Sequence, residues 1–325
     1  MKRRDFLKSS AALAGAASIA APSIVLAQAA PVINVGHLVG ICMSPLFYAH
    51  SQGYFKEEGL DVQLKFMPNP GDALTALTSG SMQIIHNPFT NGFVAAANGA
   101  PIKIIAGSGA GGVVIVAQGT SGIKDIAGLK ASAGKGLKIG IQRANTLELT
   151  FYRIAQNNGM KYEDFNMVYF SDILSLAAAF EAKAIDVAVH VEPFTTNMVD
   201  KQGGVPLATN LDAWGPHGPD CVVKARADYV AAQGPVIKRY LKALLKADAA
   251  IKADMPKAVE ILDAGKYYRV DKPTLAAALP RQKPQVDLTK GGDKSMEIAI
   301  KDLVALGYIR TAPDIVDFKL LSEVV

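Results

Sequence analysis

The sequence predicts an α/β protein with two lobes, each built on a mixed, mainly parallel sheet flanked by helices. Short apolar runs alternate with short helical segments, a pattern typical of sheets that are covered on both faces. This alternation occurs once before residue 119 and again after residue 137. The chain has 325 residues, of which 50% are hydrophobic and only 19% are charged. It is therefore long and apolar enough for two cores in lobes of ~100–200 residues each.

Local signals define the elements of the first unit. Polar and apolar residues alternate at Asp61–Phe66, which indicates a strand. Pro45 suits the first turn of a helix, and Gly53 and Gly80 suit helix ends. The predicted strands are residues 32–35, 61–66, 82–85, 102–106 and 113–117, and the predicted helices are residues 45–52, 71–79 and 90–97.

The second unit repeats the strand-then-helix order, and a mainly helical segment follows it. Joints marked by Gly and Pro at residues 119–122 and 214–221 separate the two units. The predicted strands are residues 137–141, 166–170 and 185–189, and the predicted helices are residues 146–158 and 173–182, with another after residue 194. Further helices are predicted at residues 235–253, 257–264, 272–279 and 294–306.

The first 29 residues have the organisation of an export signal. A basic start precedes a modest Ala-rich apolar stretch, and Ala27-Gln28-Ala29 offers small residues for a peptidase. The run Arg3-Arg4-x-Phe6-Leu7-Lys8 resembles the twin-arginine signal, which a receptor reads and which is not an anchor. The alternative is a basic amphipathic surface helix. We expect residues 1–29 to be removed and the mature chain to work in the periplasm.

The net charge of +5 lies mostly in this leader. Four basic residues (Lys2, Arg3, Arg4 and Lys8) and one acid (Asp5) give the leader +3, which leaves +2 for the rest of the chain. A nearly neutral chain without a basic tract argues against nucleic acid as a partner. No later stretch reaches the ~18 apolar residues of a spanning helix, so we expect a mature chain that does not span the membrane.

Several catalytic and cofactor motifs fail on inspection. Gly107-x-Gly109-x-x-Gly112 fits the dinucleotide spacing, but a strand follows it instead of a helix. Gly134-Lys135 lacks the upstream glycine of a phosphate-binding loop, and no Gly-x-Ser-x-Gly elbow occurs. The two cysteines exclude a disulfide scaffold, and the five histidines show no metal-ligand spacing. We expect no cofactor, no metal site and no catalytic residue.

Specific strings then point to a family. They are PLFYA at residues 45–49, GYFKEEGLDV at 53–62, ALTAL at 73–77, GSMQI at 80–84, IAGLK at 126–130, AAF at 178–180, AIDVA at 184–188 and EPF at 192–194. This set resembles the nitrate/sulfonate/taurine branch of the periplasmic solute-binding proteins that serve ATP-binding-cassette (ABC) importers. The resemblance covers nearly all of residues 32–265, and the final sixty residues contribute nothing to it.

The resemblance implies the fold and its division. It implies a two-lobed periplasmic-binding-protein type II fold whose lobes are joined by two crossing strands that act as a hinge. The predicted first lobe is residues 30–118 and 223–325, and the predicted second lobe is residues 119–222. A receptor of this kind is a monomer, closes on a small organic solute, and presents the closed form to the permease subunits of an ABC importer.

Two other functions remain open at the level of sequence. A pyrimidine-synthase branch that makes a thiamine precursor resembles this core, but it is a cytoplasmic enzyme with a cysteine-rich segment. A ligand-sensing subunit of a membrane receptor is the other alternative. The family binds diverse solutes, so the resemblance does not give the ligand.

Candidate ligand contacts follow from the strand ends. In open α/β sheets, ligands bind beside the carboxyl ends of strands and near helix N-termini, which hold polar head groups through backbone N–H groups. The candidates at these ends, with one aromatic from the second joint, are Cys42, Met43, Ser44, Asn87, Phe89, Thr90, Ser108, Arg143, Asn145, Thr146, Asp172, His190, Glu192 and Trp214.

Most of these candidates also have a structural interpretation. Thr90 and Thr146 suit helix caps, and Asn87 suits a turn. Arg143 either clamps a carboxylate or sulfonate, or lies in a solvated loop. Glu192 either contacts an amine or hydroxyl, or orients the helix that follows it, and the second role is favoured.

The aromatic and sulfur side chains are equally open to two interpretations. Phe47, Phe89 and Trp214 suit either a pocket wall or the core. Cys42 and Cys221 either pair in an oxidising compartment or, as the sequence favours, stay separate thiols. Because of Arg143 and the helix ends, the sequence favours an anionic or zwitterionic solute. A heteroaromatic solute is the alternative.

Overall fold

The computed structural model describes residues 30–325 and contains two sheets. The predicted export signal, residues 1–29, lies outside the described residues. The strands are β1 (Val32–His37), β2 (Asp61–Phe66), β3 (Ile84–Pro88), β4 (Ile102–Gly111), β5 (Val113–Ala117), β6 (Lys138–Ile141), β7 (Asn166–Tyr169), β8 (Val187–Val191), β9 (Val205–Thr209), β10 (Pro219–Arg226) and β11 (Gln282–Pro284).

Helices cover the faces of both sheets. They are α1 (Ser44–Ser51), α2 (Tyr54–Glu57), α3 (Pro70–Thr78), α4 (Phe89–Ala97), α5 (Ile126–Ala131), α6 (Thr146–Asn157), α7 (Ile173–Glu181), α8 (Phe194–Asp200), α9 (Asn210–Trp214), α10 (Ala227–Ala232), α11 (Gly234–Ala253), α12 (Met255–Ala264), α13 (Lys272–Ala278), α14 (Gly292–Ala305) and α15 (Lys319–Ser322). A 3-10 turn, Ile41–Met43, leads into α1. Within residues 30–325, no helix combines the length and apolar character that crossing a membrane requires.

Each sheet is mixed, as the sequence predicts. The first has the strand order β11-β4-β10-β3-β1-β2, in which β1 pairs in parallel with β2 and β3, and β10 runs antiparallel to both β3 and β4. The second has the order β7-β6-β8-β5-β9, in which β6 is parallel to β7 and β8, and β5 is antiparallel to β8 and β9.

The chain crosses between the sheets earlier than the sequence analysis placed it. Strand β5 was assigned to the first lobe, but it pairs in the second sheet, so the first crossing is at Gly111-Gly112. Both glycines have positive φ, 73° and 79°, which lets the chain turn sharply between β4 and β5. The return crossing ends at β10, all of which pairs in the first sheet, although its first half was assigned to the second lobe.

Two large cores stabilise the structure, and one C-terminal helix belongs to the second. The first core packs α1, α11 and α12 against the first sheet. The second core lies around the second sheet and also contains Met296, Ala299 and Leu303 of α14, because α14 packs against α4, α6 and α9. The assignment of all of residues 223–325 to the first lobe is therefore not what the packing shows.

Candidate ligand-binding site

A small cavity lies between the two sheets, beside the carboxyl ends of their parallel strands. The first-sheet side consists of the segments that follow β1 and β2 together with the start of β10, and the second-sheet side consists of the segments that follow β6 and β7. The lining residues are Leu38, Val39, Gly40, Cys42, Met43, Phe66, Met67, Pro68, Pro70, Pro88, Gln142, Asn145, Thr146, Leu147, Ile173, Leu174, Val191, Asp220 and Cys221.

The cavity walls are apolar, and the polar groups that line it carry no positive charge. Side chains of Leu, Val, Ile, Met, Phe and Pro form most of the wall. The polar lining side chains are Gln142, Asn145, Thr146 and Asp220, together with the two thiols. Within residues 30–325, no Lys, Arg or His lines this cavity. Its chemistry therefore suits a mainly apolar molecule with hydrogen-bonding atoms, and the ionisable oxygen group among the described lining residues is the acid Asp220.

The cavity is narrow in this structure. Its volume is ≈ 30 Å³, which is room for about two water molecules. An organic solute needs a larger space, so it enters only when the two walls move apart. Such opening is the expected motion of two lobes joined by short crossing segments.

Asp220 is the most unusual group in the lining. Its side chain is buried, and burial raises the pKa of its carboxyl group. Thr146 Oγ1 donates to Oδ1 at 3.1 Å, and Gln282 Nε2 donates to Oδ2 at 2.9 Å. Its carboxylate therefore has neutral partners only, which leaves a buried negative charge without a cation.

The two cysteines meet beside Asp220. Cys42 Sγ and Cys221 Sγ are 2.7 Å apart, and both residues are buried. Burial raises the pKa of the Cys221 thiol to about 11, and it also raises the pKa of Cys42. Both residues are free cysteines, as the sequence analysis favoured, although the fold brings their sulfur atoms into contact.

Gly109 of β4 makes this contact possible. A Cβ atom added at Gly109 would lie 2.7 Å from Cys42 Cα, so a larger residue would push the Cys42 segment away from the sheet. The failed dinucleotide spacing therefore has a packing explanation: Gly107 and Gly109 permit close approach of other segments, and Gly112 lies at the crossing between the sheets.

Four of the fourteen candidate residues line the cavity: Cys42, Met43, Asn145 and Thr146. The cap of α6 is Asn145, whose Oδ1 accepts from Leu147 N at 3.2 Å. Thr146 instead holds Asp220, so its interpretation as the cap is wrong. Thr90 is no cap either, because α4 begins after Pro88 with no side-chain cap.

Ser108 acts behind the cavity wall. Its hydroxyl donates to the Cys42 carbonyl at 2.6 Å and contacts His86 Nδ1 at 2.9 Å, while His86 Nε2 lies 2.8 Å from Tyr240 Oη. Burial lowers the pKa of His86 to about 3, so the ring is neutral. This buried network fixes the Cys42 backbone against β3 and β4. Ser44 is also buried, at the start of α1, and does not line the cavity.

Asn87 binds a buried lysine instead of facing the cavity. Lys224 Nζ donates to Asn87 Oδ1 and to the Pro88 carbonyl, the latter at 2.5 Å. Phe89 and Thr90 follow in the same segment and are buried in the core beside it. Burial lowers the pKa of Lys224 to about 7, because no acidic side chain bonds to its ammonium group.

Lys224 should make stability depend on pH. Its pKa is about 7 in the folded chain against 10.5 for the free side chain. Between these values the unfolded chain binds a proton that the folded chain has lost, so folding is favoured increasingly as pH rises. Relative to Lys224→Met, the wild type should gain about 3 kcal/mol of unfolding free energy between pH 6 and pH 9.

Urea unfolding of both proteins at each pH measures this difference. Lys246→Met is the matched control, because Lys246 is half exposed and pairs with Glu57 at the surface. A stability difference between the wild type and Lys224→Met that stays constant between pH 6 and pH 9 would contradict the lowered pKa of the buried Lys224 side chain.

Arg143 and Asp172 lie outside the cavity. The Arg143 side chain is exposed, and its guanidinium stacks over the Tyr169 ring at 4.1 Å. Asp172 caps α7, where its Oδ1 accepts from Leu174 N and Ser175 N at 2.9 and 2.8 Å. Neither residue lines the cavity, so these two charged candidates have surface or capping roles.

His190, Glu192 and Trp214 have structural partners. His190 Nε2 lies 2.7 Å from the Ile173 carbonyl, and burial lowers the pKa of the ring to about 4. Glu192 accepts from Thr196 N at 3.0 Å, which gives it the favoured role of orienting α8, and it lines a second cavity with Arg281. Trp214 packs edge-on against Phe89 in the second core.

The sequence analysis missed the polar residue that dominates the lining. Asp220 and Cys221 directly follow a run rich in Gly and Pro, residues 215–219, and the sequence analysis treated the whole of residues 214–221 as a joint. The signal that was present is the short apolar run Cys221–Val223 next to an acid. Gln142 was missed as well, although it directly follows a correctly placed strand.

Comparison with solved structures identifies the fold. The zinc-bound ligand-binding component of an ABC-type import system from Staphylococcus aureus matches with a TM-score of 0.75 and 19% identity, over 91% of this chain and 99% of that one. The periplasmic nitrate-binding protein NrtA from Synechocystis matches with a TM-score of 0.75 and 17% identity, over 91% of this chain and 88% of that one. The alkanesulfonate-binding protein SsuA from Xanthomonas axonopodis, bound to MOPS, matches with a TM-score of 0.71 and 18% identity, over 90% of this chain and 97% of that one. The chain therefore has the periplasmic-binding-protein fold.

The family follows from the sequence match. The model described as NMT1/THI5 like matches residues 42–258, and the chain belongs to this family. The resemblance drawn from the strings at residues 45–62 and 178–194 is confirmed, and so is the predicted fold class.

The curated relatives share part of this chain. The 4-amino-5-hydroxymethyl-2-methylpyrimidine phosphate synthases THI11 and THI13 of Saccharomyces cerevisiae are 26% identical over 155 residues and 28% identical over 131 residues. These alignments cover 46% and 38% of this chain, and they span 42% and 35% of the yeast enzymes. The chain thus matches less than half the length of these relatives.

Proposed function

We propose that this chain is an extracytoplasmic receptor that binds a small organic solute and delivers it to the permease subunits of an ABC importer. The fold and the cavity between the sheets support a binding role, and the solved neighbours include components of such import systems. The export signal that the sequence predicts would carry the chain to the periplasm by the twin-arginine route. A monomer that opens and closes suffices for this role.

The charge of the cavity lining is the main observation that indicates the class of solute. A receptor for nitrate or a sulfonate needs positive or N–H-donating groups around the anion. Among residues 30–325, the only charged side chain in the lining is the acid Asp220, and Arg143 lies outside the cavity. We therefore propose the heteroaromatic alternative: a flat, mainly apolar ring whose N–H groups donate to Asp220 and whose faces contact Phe66 and Met67.

The same ring chemistry makes the enzyme alternative worth testing. The yeast relatives are named for an aminopyrimidine product, and a pyrimidine is a ring of this kind. The sequence contains neither a catalytic motif of the kinds considered above nor a cysteine-rich segment. We propose that this chain binds the solute and does not transform it.

A solute panel tests the proposal. The mature chain, residues 30–325, is titrated calorimetrically with aminopyrimidines and purine bases on one side, and with taurine, an alkanesulfonate and nitrate on the other. At least one nitrogen heterocycle should bind at micromolar or tighter concentration, and it should be recovered unchanged. Asp220→Asn should weaken it about tenfold to a hundredfold, since a hydrogen bond to a charged group contributes ~1.5–3 kcal/mol.

Arg143→Ala is the matched control, because it removes a charge at the surface and leaves the lining intact. It should keep the affinity of the wild type. Tight binding of a sulfonate that Arg143→Ala abolishes would overturn the ring assignment and restore the anionic one. A panel in which no compound binds would count against the receptor function itself.

A further inference from the structure

We propose that Cys42, Asp220 and Cys221 form a binding site for one thiophilic divalent metal ion, of the class to which Zn²⁺ belongs, with one coordination position open to the cavity. The inference deepens the proposed function, because it adds a metal contact for a nitrogen donor of the solute. The metal site itself rests on the geometry of these three side chains alone.

The fold brings three ligand atoms together in a buried place. The two sulfur atoms and one carboxylate oxygen all lie within 4.8 Å of one another, and all three residues are buried. Cys42 comes from the 3-10 turn after β1, whereas Asp220 and Cys221 are neighbours on β10. Cys42 and Cys221 are 179 residues apart in the sequence.

A β-bulge allows two consecutive residues to contribute. Side chains of neighbouring strand residues normally point to opposite faces. The register of β10 against β4 shifts between Pro219 and Cys221, and again between Cys221 and Val222. Bulges of this kind redirect a side chain. The side chains of Asp220 and Cys221 can therefore both approach Cys42.

Neighbouring groups hold the donors in place. Thr146 and Gln282 each donate to one carboxylate oxygen of Asp220, and Ser108 donates to the carbonyl of Cys42. Partners that orient ligating side chains are a regular feature of metal sites. No positively charged side chain lines the cavity, and the buried Lys224, whose charge acts on Cys221, bonds to Asn87 and to the Pro88 carbonyl instead of to these donors.

The donor set selects the class of metal. Two thiolates favour Zn²⁺-like or softer ions over Mg²⁺ and Ca²⁺, which prefer oxygen ligands. Binding releases the two thiol protons to solvent and forms two metal–sulfur bonds and one metal–oxygen bond. Three protein ligands leave the fourth tetrahedral position free, the arrangement of sites at which Zn²⁺ also binds water or a substrate.

Metal binding requires a small movement of the sulfur atoms. With Zn–S bonds of about 2.3 Å, two thiolates of a tetrahedral site lie about 3.8 Å apart. The sulfur atoms here are 2.7 Å apart. Rotation of the Cys42 or Cys221 side chain therefore has to separate them by about 1 Å. The competing product of this contact is a disulfide, which needs an oxidant to accept two electrons and two protons.

Titration with the metal alone tests the site. The mature chain is reduced, stripped with a chelator, and titrated with Co²⁺ in the absence of any solute. One Co²⁺ per chain should produce the near-ultraviolet band of thiolate-to-cobalt charge transfer, and one equivalent of Zn²⁺ should remove it. Cys42→Ser, Cys221→Ser and Asp220→Asn should each weaken binding about a hundredfold or more.

Asp248→Asn is the matched control, because Asp248 is a buried acid that accepts from Val286 N outside the cluster. It should bind Co²⁺ as the wild type does. Thermal unfolding without metal shows whether each variant folds, and Zn²⁺ should raise the unfolding midpoint of the wild type and of Asp248→Asn only.

Two results would overturn the metal site. One is a folded, reduced chain with two alkylatable thiols and no charge-transfer band at saturating Co²⁺. The other is formation of the Cys42–Cys221 disulfide in air at a rate that saturating Zn²⁺ does not slow. The solute panel distinguishes the two proposals. A heterocycle that binds with equal affinity to metal-free and Zn²⁺-loaded protein would support the receptor function and contradict a contact between the metal and the solute.

Discussion

Replacing Arg153 with methionine should lower the free energy of unfolding by about 3 kcal/mol. Arg153 on α6 pairs with Asp302 on α14: its Nε donates to Oδ2 at 3.0 Å, and its Nη2 donates to Oδ1. The Asp302 side chain is only 2% exposed. The variant therefore leaves a buried carboxylate without its cation, and removing one partner of such a pair is far more costly than replacing both.

Urea unfolding measures this loss of unfolding free energy, and two further variants show whether the buried charge causes it. The double variant Arg153→Met, Asp302→Leu should regain stability to within about 1 kcal/mol of the wild type, because it removes both charges. Glu57→Gln, which breaks the exposed Lys246–Glu57 pair, should leave the free energy of unfolding nearly unchanged, because solvent screens exposed ion pairs. Equal losses from Arg153→Met and from the double variant would show that side-chain packing, and not the buried charge, connects α6 to α14.

Replacing Gly109 with alanine should both destabilise the chain and impair solute binding. The added Cβ would lie 2.7 Å from Cys42 Cα and 3.0 Å from Cys42 Cβ, so backbone has to move. Overpacking of this kind costs about 1–3 kcal/mol of stability. Because Cys42 and Met43 line the cavity, their displacement should also weaken solute binding about tenfold, the equivalent of one lost hydrogen bond.

Gly128→Ala is the matched control for this prediction. Gly128 lies in α5 at ordinary backbone angles, and its added Cβ would meet nothing closer than 3.4 Å. That change should leave solute binding unchanged and slightly raise stability. Chemical denaturation and calorimetric titration measure both quantities for the pair. Wild-type affinity in Gly109→Ala would mean that the position of the Cys42 segment does not control the cavity.

Strands with clear local patterns were predictable from the sequence. Asp61–Phe66 alternates polar and apolar residues, and Val113–Ala117 is a continuous apolar run; both strands have the predicted bounds. Strand β10 was missed, although it lies inside the first sheet between β3 and β4. Its apolar run is interrupted by Lys224, whose burial depends on Asn87 and the Pro88 carbonyl, and no local pattern reports such partners.

The location of the candidate site was predictable from the sequence, but the charge and polarity of its lining were not. The rule that ligands lie at the carboxyl ends of strands led to Cys42, Met43, Asn145 and Thr146, all of which line the cavity. The same rule also chose Arg143, which lies only one residue after the lining residue Gln142. A turn of the chain between Gln142 and Asn145, with Ala144 at a φ of 52°, is what separates them, and strand-end rules do not describe the direction of a side chain.

The sequence by itself determined the α/β class, the family and the order of most elements, because these depend on periodicity and on local strings. The tertiary structure decided which side chains share the cavity. Cys42 and Cys221 are 179 residues apart, and their contact with Asp220 depends on the pairing of β10, on its bulge, and on the absence of a side chain at Gly109. Contacts of this range arise from packing of distant segments, for which the sequence near each residue carries no signal.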